Sequence, residues 1–196
     1  LAEIDAESPL ITVALPDDNE PSSLTIDEVQ KELTEVLQAL GRLLPDVRVS
    51  LRKGALHLLK AEQTLTVFEH LEGRALSPPA GLEVELTGTS DLAGALSLRM
   101  RLPANEAKGY ALLLVERLNP RLFIDRVAPK AAIQLGDGSA NVDIALKILG
   151  PGSSELSVEG SVDHLTVRRG ARTVDFGSSR IKAVATHGRE GMSATL

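Results

Sequence analysis

Residues 82–102 read LEVELTGTSDLAGALSLRMRL, and this stretch decides the fold. In its first part, every second residue is aliphatic (Leu82, Val84, Leu86) and the residues between them are charged or polar. The same alternation returns from Leu96 onward, after a short link that contains glycine. A period of two places alternate side chains on opposite faces of a strand, and a short link favours an antiparallel hairpin. The stretch therefore predicts two paired strands with one apolar face and one polar face.

The alternation recurs elsewhere after Pro45, at residues 47–52, 141–148 and 156–163. Glycine- or proline-containing turns separate these segments, and short links of this kind favour meanders over helical crossovers. The sequence thus predicts a mainly β protein with one or two helices, a β-rich α+β fold. Its sheet is expected to be antiparallel and strongly twisted or curled, and to consist of hairpins and meanders.

Two segments are predicted to be helical. Residues 25–40 carry apolar side chains at spacings of three and four, begin with a Thr25/Glu28 capping box and are followed by Gly41. Residues 105–118 contain the continuous apolar run YALLLV, whose state periodicity does not decide. A short helix is the expectation there, ended by Asn119-Pro120.

The charge distribution suggests where the domain begins. Residues 1–46 hold 11 acidic and 2 basic residues, although the whole chain has a net charge of only −6. Residues 1–23, which also contain three prolines, are predicted to be an acidic, extended lead. Residues 24–196 are predicted to form a single β-rich domain, with strands from residue 47 onward.

Composition disfavours several classes of function. An acidic net charge argues against nucleic acid as a partner, and the 2% of aromatic residues argues against stacking platforms for sugars or single strands. The absence of cysteine excludes thiolate catalysis and cysteine-ligated metals. Familiar catalytic motifs are missing as well. We expect no enzyme activity, no catalytic residues, no cofactor and no metal site.

One loop partly matches a calcium-binding pattern. Residues 137–143 place oxygen donors at alternate positions, but Val142 stands where such loops have glycine and Ile148 where they have glutamate. The prediction is therefore a glycine turn that leads into an amphipathic strand.

Three segments together resemble a known family. The predicted helix ends in LLPD (43–46) and leads into VRVSLRKGALHL (47–58), which has the form of a strand, a glycine turn and a strand. Similar themes follow in residues 82–100 and in LSVEGSVDHLTVRRG (156–170). This pattern resembles the AsmA-like proteins of Gram-negative envelopes, which include the TamB- and YhdP-type proteins.

The resemblance implies an internal periplasmic segment whose parent protein is anchored in the inner membrane by a helix outside this chain. It implies a curled sheet that forms a groove with an aliphatic inner face. Such a groove is expected to pass phospholipids or other acyl-chain ligands between the inner and outer membranes, in outer-membrane biogenesis. Other envelope proteins or neighbouring segments of the parent chain are possible further partners.

The apolar positions of the predicted strands are the candidate lipid-binding residues. They are Leu82, Val84, Leu86, Leu96, Leu98, Met100, Val142, Ile144, Leu146, Leu156 and Val158. The same residues could instead fill the closed core of a β sandwich or half-barrel. A structural or protein-interaction module of the envelope, with a closed core and no ligand, is therefore the alternative. An enzyme whose site gathers distant residues is a further rival.

Overall fold

The structure is a computed structural model that describes most of the chain. The described residues are 2–15, 46–60, 63–77, 81–103, 108–127, 134–136, 138–150, 153–170, 172–188 and 191–195. The predicted helix over residues 25–40 lies outside them.

Strands dominate the described residues, and they are joined into one large and one small sheet. The elements are β1 (Ala2–Glu7), β2 (Leu10–Leu15), β3 (Val47–Lys60), β4 (Gln63–Ser77), β5 (Gly81–Ser90), β6 (Ala95–Pro103), β7 (Gly109–Leu118), α1 (Pro120–Val127), β8 (Gln134–Leu135), β9 (Ser139–Gly150), β10 (Ser153–Asp163), β11 (Thr166–Arg169), β12 (Arg172–Asp175), β13 (Ser179–Gly188) and β14 (Gly191–Thr195).

The large sheet has the order β1-β3-β4-β5-β6-β7-β9-β10-β13-β14, and β2 also pairs with β3. From β3 to β14 every neighbouring pair is antiparallel. The small sheet, β12-β11-β8, is formed within the connections β7–β9 and β10–β13. The predicted mainly β fold with an antiparallel sheet of hairpins and meanders is confirmed.

The first strands differ from the prediction. Residues 2–15 are extended, as expected of the acidic lead, but they belong to the sheet as β1 and β2 and pair parallel with β3. The large sheet is therefore mixed, and its strands begin before residue 47. Pro9 is tolerated between β1 and β2 because it lacks only an N–H, and its carbonyl still accepts a hydrogen bond from Ala55.

The predicted helix over 105–118 is wrong, because the described part of this segment is strand β7. The strand pairs with β6 on one side and with β9 on the other. Strands β6 and β9 satisfy the backbone N–H and C=O groups of β7 on both sides, which is what makes this apolar run a strand. Pairing on both sides, which a local pattern does not contain, decides the conformation.

Asn119-Pro120 does not end a helix but begins one, α1. The Asn119 side-chain oxygen accepts a hydrogen bond from the Leu122 N–H at 3.1 Å, as an N-cap residue does. Pro120 takes the first helical position, where its missing N–H needs no partner. The sequence contained this start signal, and the prediction interpreted it as a stop signal.

Few side chains in the described part of the chain are deeply buried. The buried hydrophobic residues are Val47, Leu71, Leu92, Ala93 and Ala140. Most of these lie where the β5–β6 turn and α1 meet one end of the sheet, here called the α1 end. Asn119 donates its N–H to the Leu92 carbonyl there, at 2.8 Å. The opposite end carries the β4–β5, β6–β7 and β9–β10 connections.

Candidate functional site

The strand register places all the predicted lipid-binding residues on one face of the large sheet. Directly opposed residues of paired strands project to the same side. Val84 opposes Met100, which in turn opposes Ala111, and the row continues into β9 and β10. This aliphatic face contains Leu82, Val84, Leu86, Leu96, Leu98, Met100, Val142, Ile144, Leu146, Leu156 and Val158, together with Ala111, Leu113 and Val115 of β7.

Each predicted residue on the aliphatic face is partly exposed, neither deeply buried nor fully open to solvent. Neighbouring aliphatic side chains on a pleated surface cover part of one another's accessible surface, and this accounts for their partial exposure. A closed sandwich core would bury such side chains much more completely.

Glycines on the aliphatic face let leucines lean across the neighbouring strand. A Cβ at Gly73 would come within 2.9 Å of Leu86 Cδ1, and one at Gly109 within 2.7 Å of Leu102 Cδ2. Leu71, only 3% exposed, occupies the corresponding space over Gly88. The leucine side chains therefore extend over these glycines and keep the aliphatic surface continuous between strands.

The opposite side, here called the charged face, carries ion pairs between neighbouring strands. Arg74 and Glu85 join β4 to β5 at 2.8 Å, and Glu83 and Arg101 join β5 to β6 at 3.2 Å. Further along the sheet, Lys147 pairs with Glu155 and Lys182 with Glu159. These pairs are largely exposed, so this face is a solvated surface.

Strand β7 interrupts the charged face with apolar side chains. Tyr110, Leu112 and Leu114 project to this side because they alternate with Ala111, Leu113 and Val115. A depression of about 190 Å³ lies beside Tyr110 and is lined mainly by Arg74, Glu83, Arg99 and Arg101. It lies among charged groups and apart from most of the predicted lipid-binding residues.

A polar cluster at the α1 end was not found from the sequence. The Asp91 carboxylate accepts hydrogen bonds from the Thr66 hydroxyl at 2.8 Å, from the Val67 N–H at 3.1 Å and from Arg126. Arg126 also donates to the Leu65 carbonyl at 3.0 Å. The cluster fixes α1 to the start of β4 and to the β5–β6 turn. Its members are distant in sequence, and only the turn-like Ser90-Asp91 hinted at it.

The same cluster determines the charge of Asp91. Partial burial on its own raises the pKa of Asp91, but the hydrogen bonds from Arg126, Thr66 and Val67 and the positive charge of Arg126 outweigh this effect. The pKa of Asp91 is therefore lowered, and the carboxylate stays ionised beside Arg126. The ion pair between Asp91 and Arg126 therefore has a structural role, because it joins α1 to the β5–β6 turn.

The chemistry available on the two faces differs. Within the described ranges, no group of three or more His, Cys, Asp or Glu side chains is arranged to hold a metal ion. None of the helices that the structure describes is both long and apolar enough to cross a membrane. The aliphatic face offers apolar contact, and the charged face offers exposed ion pairs.

Comparison with known proteins identified no relative. Neither the protein-family models, nor the curated proteins, nor the solved structures contain a match to this chain. The functional argument therefore rests on the residues of the two faces.

Proposed function

We propose that the aliphatic face is a binding surface for the acyl chains of phospholipids. One observation carries the proposal: a continuous aliphatic surface crosses β4 to β10, and the predicted lipid-binding side chains on it, from β5 to β10, stay partly exposed. With strands spaced about 4.8 Å apart, these six strands span about 24 Å. An apolar surface of this width is typical of a site that binds an apolar ligand, a membrane or another protein.

Acyl chains suit this surface because they need apolar contact and no directional chemistry. Each buried methylene contributes about 0.8 kcal/mol before the costs of binding. Flexible leucines and Met100 adapt to chains of different shape. The resemblance to AsmA-like proteins supports phospholipid as the ligand. It also supports passage of lipid between two membranes, in the periplasm, by a parent protein anchored in the inner membrane.

Lipid co-purification tests the proposal. The chain is expressed in the bacterial periplasm and purified without detergent, and an organic extract is analysed by mass spectrometry beside an unrelated control protein. Ile144→Asp places a charge on the aliphatic face, whereas Ala145→Asp places the same charge on the opposite side of the same strand. We expect near-stoichiometric phospholipid with the wild type and with Ala145→Asp, and loss of lipid with Ile144→Asp at unchanged secondary structure. A stable, monomeric, lipid-free wild type would refute the proposal.

A second candidate is a protein-interaction module that pairs through its sheet edge. In the described part of the chain, β1 and β2 form one edge of the large sheet, and Ile4, Leu10 and Ile11 are 48%, 64% and 48% exposed there. Edge strands with exposed apolar side chains pair readily with another strand. Concentration-dependent self-association of the lipid-free chain, abolished by Ile11→Lys, would favour this candidate.

A further inference from the structure

The small sheet has one apolar side. Leu135 of β8 opposes Val167 of β11, and Val167 opposes Val174 of β12, so these three side chains project to the same side. Phe176 follows on that side, because it alternates with Val174 and its N–H still donates to the Leu165 carbonyl, at 2.9 Å. Val174 and Phe176 are 52% and 53% exposed, so this side of the small sheet is open.

Two arginines stand on the same side, next to the turn that joins β11 to β12. Arg169 and Arg172 oppose each other directly, and each lies two residues along its strand from a valine of the apolar side. Both arginines are exposed. Like charges directly opposite each other destabilise a sheet, and a negatively charged partner would relieve this repulsion. We call this side the hairpin face; it consists of Leu135, Val167, Arg169, Arg172, Val174 and Phe176.

Negative charge is kept off the hairpin face. The only acidic residue in the segment 166–175 is Asp175. It opposes Thr166 and alternates with Val174, so it projects to the other side of the small sheet, where its carboxylate accepts a hydrogen bond from the Gly177 N–H at 2.8 Å. Residues 164–182 hold four arginines, one lysine and one acidic residue, although the whole chain has a net charge of −6. The hairpin face is therefore a local positive surface on an acidic protein.

We propose that the hairpin face attaches the protein to the surface of a membrane that contains anionic phospholipids. Phe176 and Val174 enter the boundary between headgroups and acyl chains, where apolar side chains gain from leaving water. Arg169 and Arg172 lie beside them and contact the lipid phosphates, while their own methylene stems pack against apolar surface. A nucleic acid would also neutralise the two arginines, but its phosphate backbone would leave Val174 and Phe176 in water.

The size of the hairpin face also favours a membrane over a protein partner. Three strands with up to four residues each give a face of roughly 10 Å by 13 Å, on the order of 130 Å². A stable protein complex buries about 800 Å² on each partner. Binding to a bilayer instead adds electrostatic attraction to the insertion of a few apolar side chains, so a small basic and apolar face contributes a measurable affinity.

The position of the small sheet gives this attachment a direction. Its strands stand in the connections β7–β9 and β10–β13, at the α1 end of the large sheet. Attachment through the hairpin face therefore brings the α1 end next to the bilayer. The inference does not rest on binding of acyl chains by the aliphatic face, because none of the candidate lipid-binding residues belongs to the hairpin face.

Co-sedimentation of the full chain with vesicles tests the inference. The vesicles consist of phosphatidylcholine alone or of phosphatidylcholine with phosphatidylglycerol. We expect the wild type to bind the anionic vesicles, to bind the neutral vesicles about tenfold less tightly, and to lose this preference at high salt. Arg169→Gln combined with Arg172→Gln should weaken binding about 25-fold, since each basic residue near an anionic surface raises the affinity about fivefold. Equal binding of the wild type to both kinds of vesicle, or to neither, overturns the inference.

Matched variants separate the hairpin face from general attraction. Arg99→Gln combined with Arg101→Gln removes the same charge from the charged face of β6, and should weaken binding by less than about threefold. Phe176→Ser should weaken binding about tenfold without a change in charge. Leu149→Ser, at the opposite end of the large sheet, removes an apolar side chain that is 49% exposed and should leave binding unchanged. Equal losses in the two arginine pairs, or in the two serine variants, overturn the inference.

A further variant keeps this inference apart from the proposed function. Ile144→Asp disrupts the aliphatic face and should keep the preference for anionic vesicles, even where it abolishes lipid co-purification. Loss of that preference with Ile144→Asp, and its retention with the Arg169→Gln and Arg172→Gln pair, would place the membrane contact on the aliphatic face and overturn the inference. Circular dichroism confirms that each variant is folded, and the arginine pair is safe in this respect because its replacement removes a like-charge repulsion.

Discussion

Glu83 and Arg101 lie directly opposite each other on β5 and β6, and the Arg101 Nε is 3.2 Å from a Glu83 carboxylate oxygen. The next opposed pair along the hairpin, Val84 and Met100, points to the other side. One hairpin thus shows the character of both faces: ion pairs between strands on one side and aliphatic contacts on the other. The strength of the ion pairs decides how much the charged face adds to stability.

We expect a small coupling between Glu83 and Arg101. A double-mutant cycle with Glu83→Gln and Arg101→Gln should give about 0.5 kcal/mol, because both side chains are half exposed and water screens the attraction. Urea denaturation measures the four free energies of unfolding, and high salt should reduce the coupling further. The control cycle replaces Glu83→Gln by Glu116→Gln. Glu116 lies at the end of β7 that is far from Tyr110, the residue opposite Arg101 on that strand, so no coupling is expected. A coupling above about 2 kcal/mol would show that this pair is desolvated.

Gly73 should be intolerant of a side chain, although it lies in a strand. A Cβ there would come within 2.5 Å of the Glu85 carbonyl oxygen and 2.9 Å of Leu86. We expect Gly73→Ala to lower the free energy of unfolding by about 1–3 kcal/mol, since a backbone atom has to move. Gly160→Ala is the matched control on the same face, where the nearest atom is 3.8 Å away. It should be neutral or stabilising by up to about 1 kcal/mol. Equal losses in both variants would contradict this packing.

The sequence predicted the two faces well because alternation is a local property. Once Leu82 to Leu86 and Leu96 to Leu102 are strands joined by a short turn, their pleat forces the aliphatic residues to one side. The register of more distant strands then follows the same pattern, because a slip of one residue would move aliphatic side chains to the charged side.

The features that the sequence did not predict are those that depend on distant partners. Leu112 and Leu114 look like part of a helix until β6 and β9 flank them. Ile4 gives no sign that its partner is Val49, and Asp91 gives no sign that its partner is Arg126. Such pairings depend on chain closure over long separations, which local periodicity does not encode. Lipid binding by the aliphatic face stays a prediction.

Replacing Asp91 should weaken the α1 end in a pH-dependent way. Asp91→Asn removes a charged acceptor of three donors, and we expect a loss of about 1 kcal/mol near neutral pH, since the pair is about a third exposed. Because the pKa of Asp91 is lowered by folding, its contribution is complete above the ordinary pKa of an unfolded aspartate, about 4. The contribution then fades as the pH falls through that value towards the lower pKa of the folded state.

Denaturation curves from pH 7 down to pH 3 test this expectation. Wild type and Asp91→Asn should converge in stability at the acid end. Asp125→Asn is the control, because its ion pair with Arg121 on the same helix is weak, at 3.9 Å, and exposed. A constant difference between wild type and Asp91→Asn across this range would show that the Asp91 charge contributes nothing.

The proposed lipid surface should be visible to a fluorophore placed on one face only. The chain has no tryptophan, so a single introduced tryptophan reports its own surroundings. Leu98→Trp lies on the aliphatic face, and the adjacent Ser97→Trp projects to the opposite side. Both parent positions are partly exposed, so the larger side chain has room in each case.

With vesicles of phosphatidylethanolamine and phosphatidylglycerol brominated on their acyl chains, we expect quenching and a blue shift for Leu98→Trp alone. Quenching requires close contact between the indole and a brominated chain, so it separates acyl-chain binding from attraction of lipid headgroups to charged residues. Equal quenching of both variants would indicate non-specific adsorption, and no quenching of either would count against an acyl-chain site on this face.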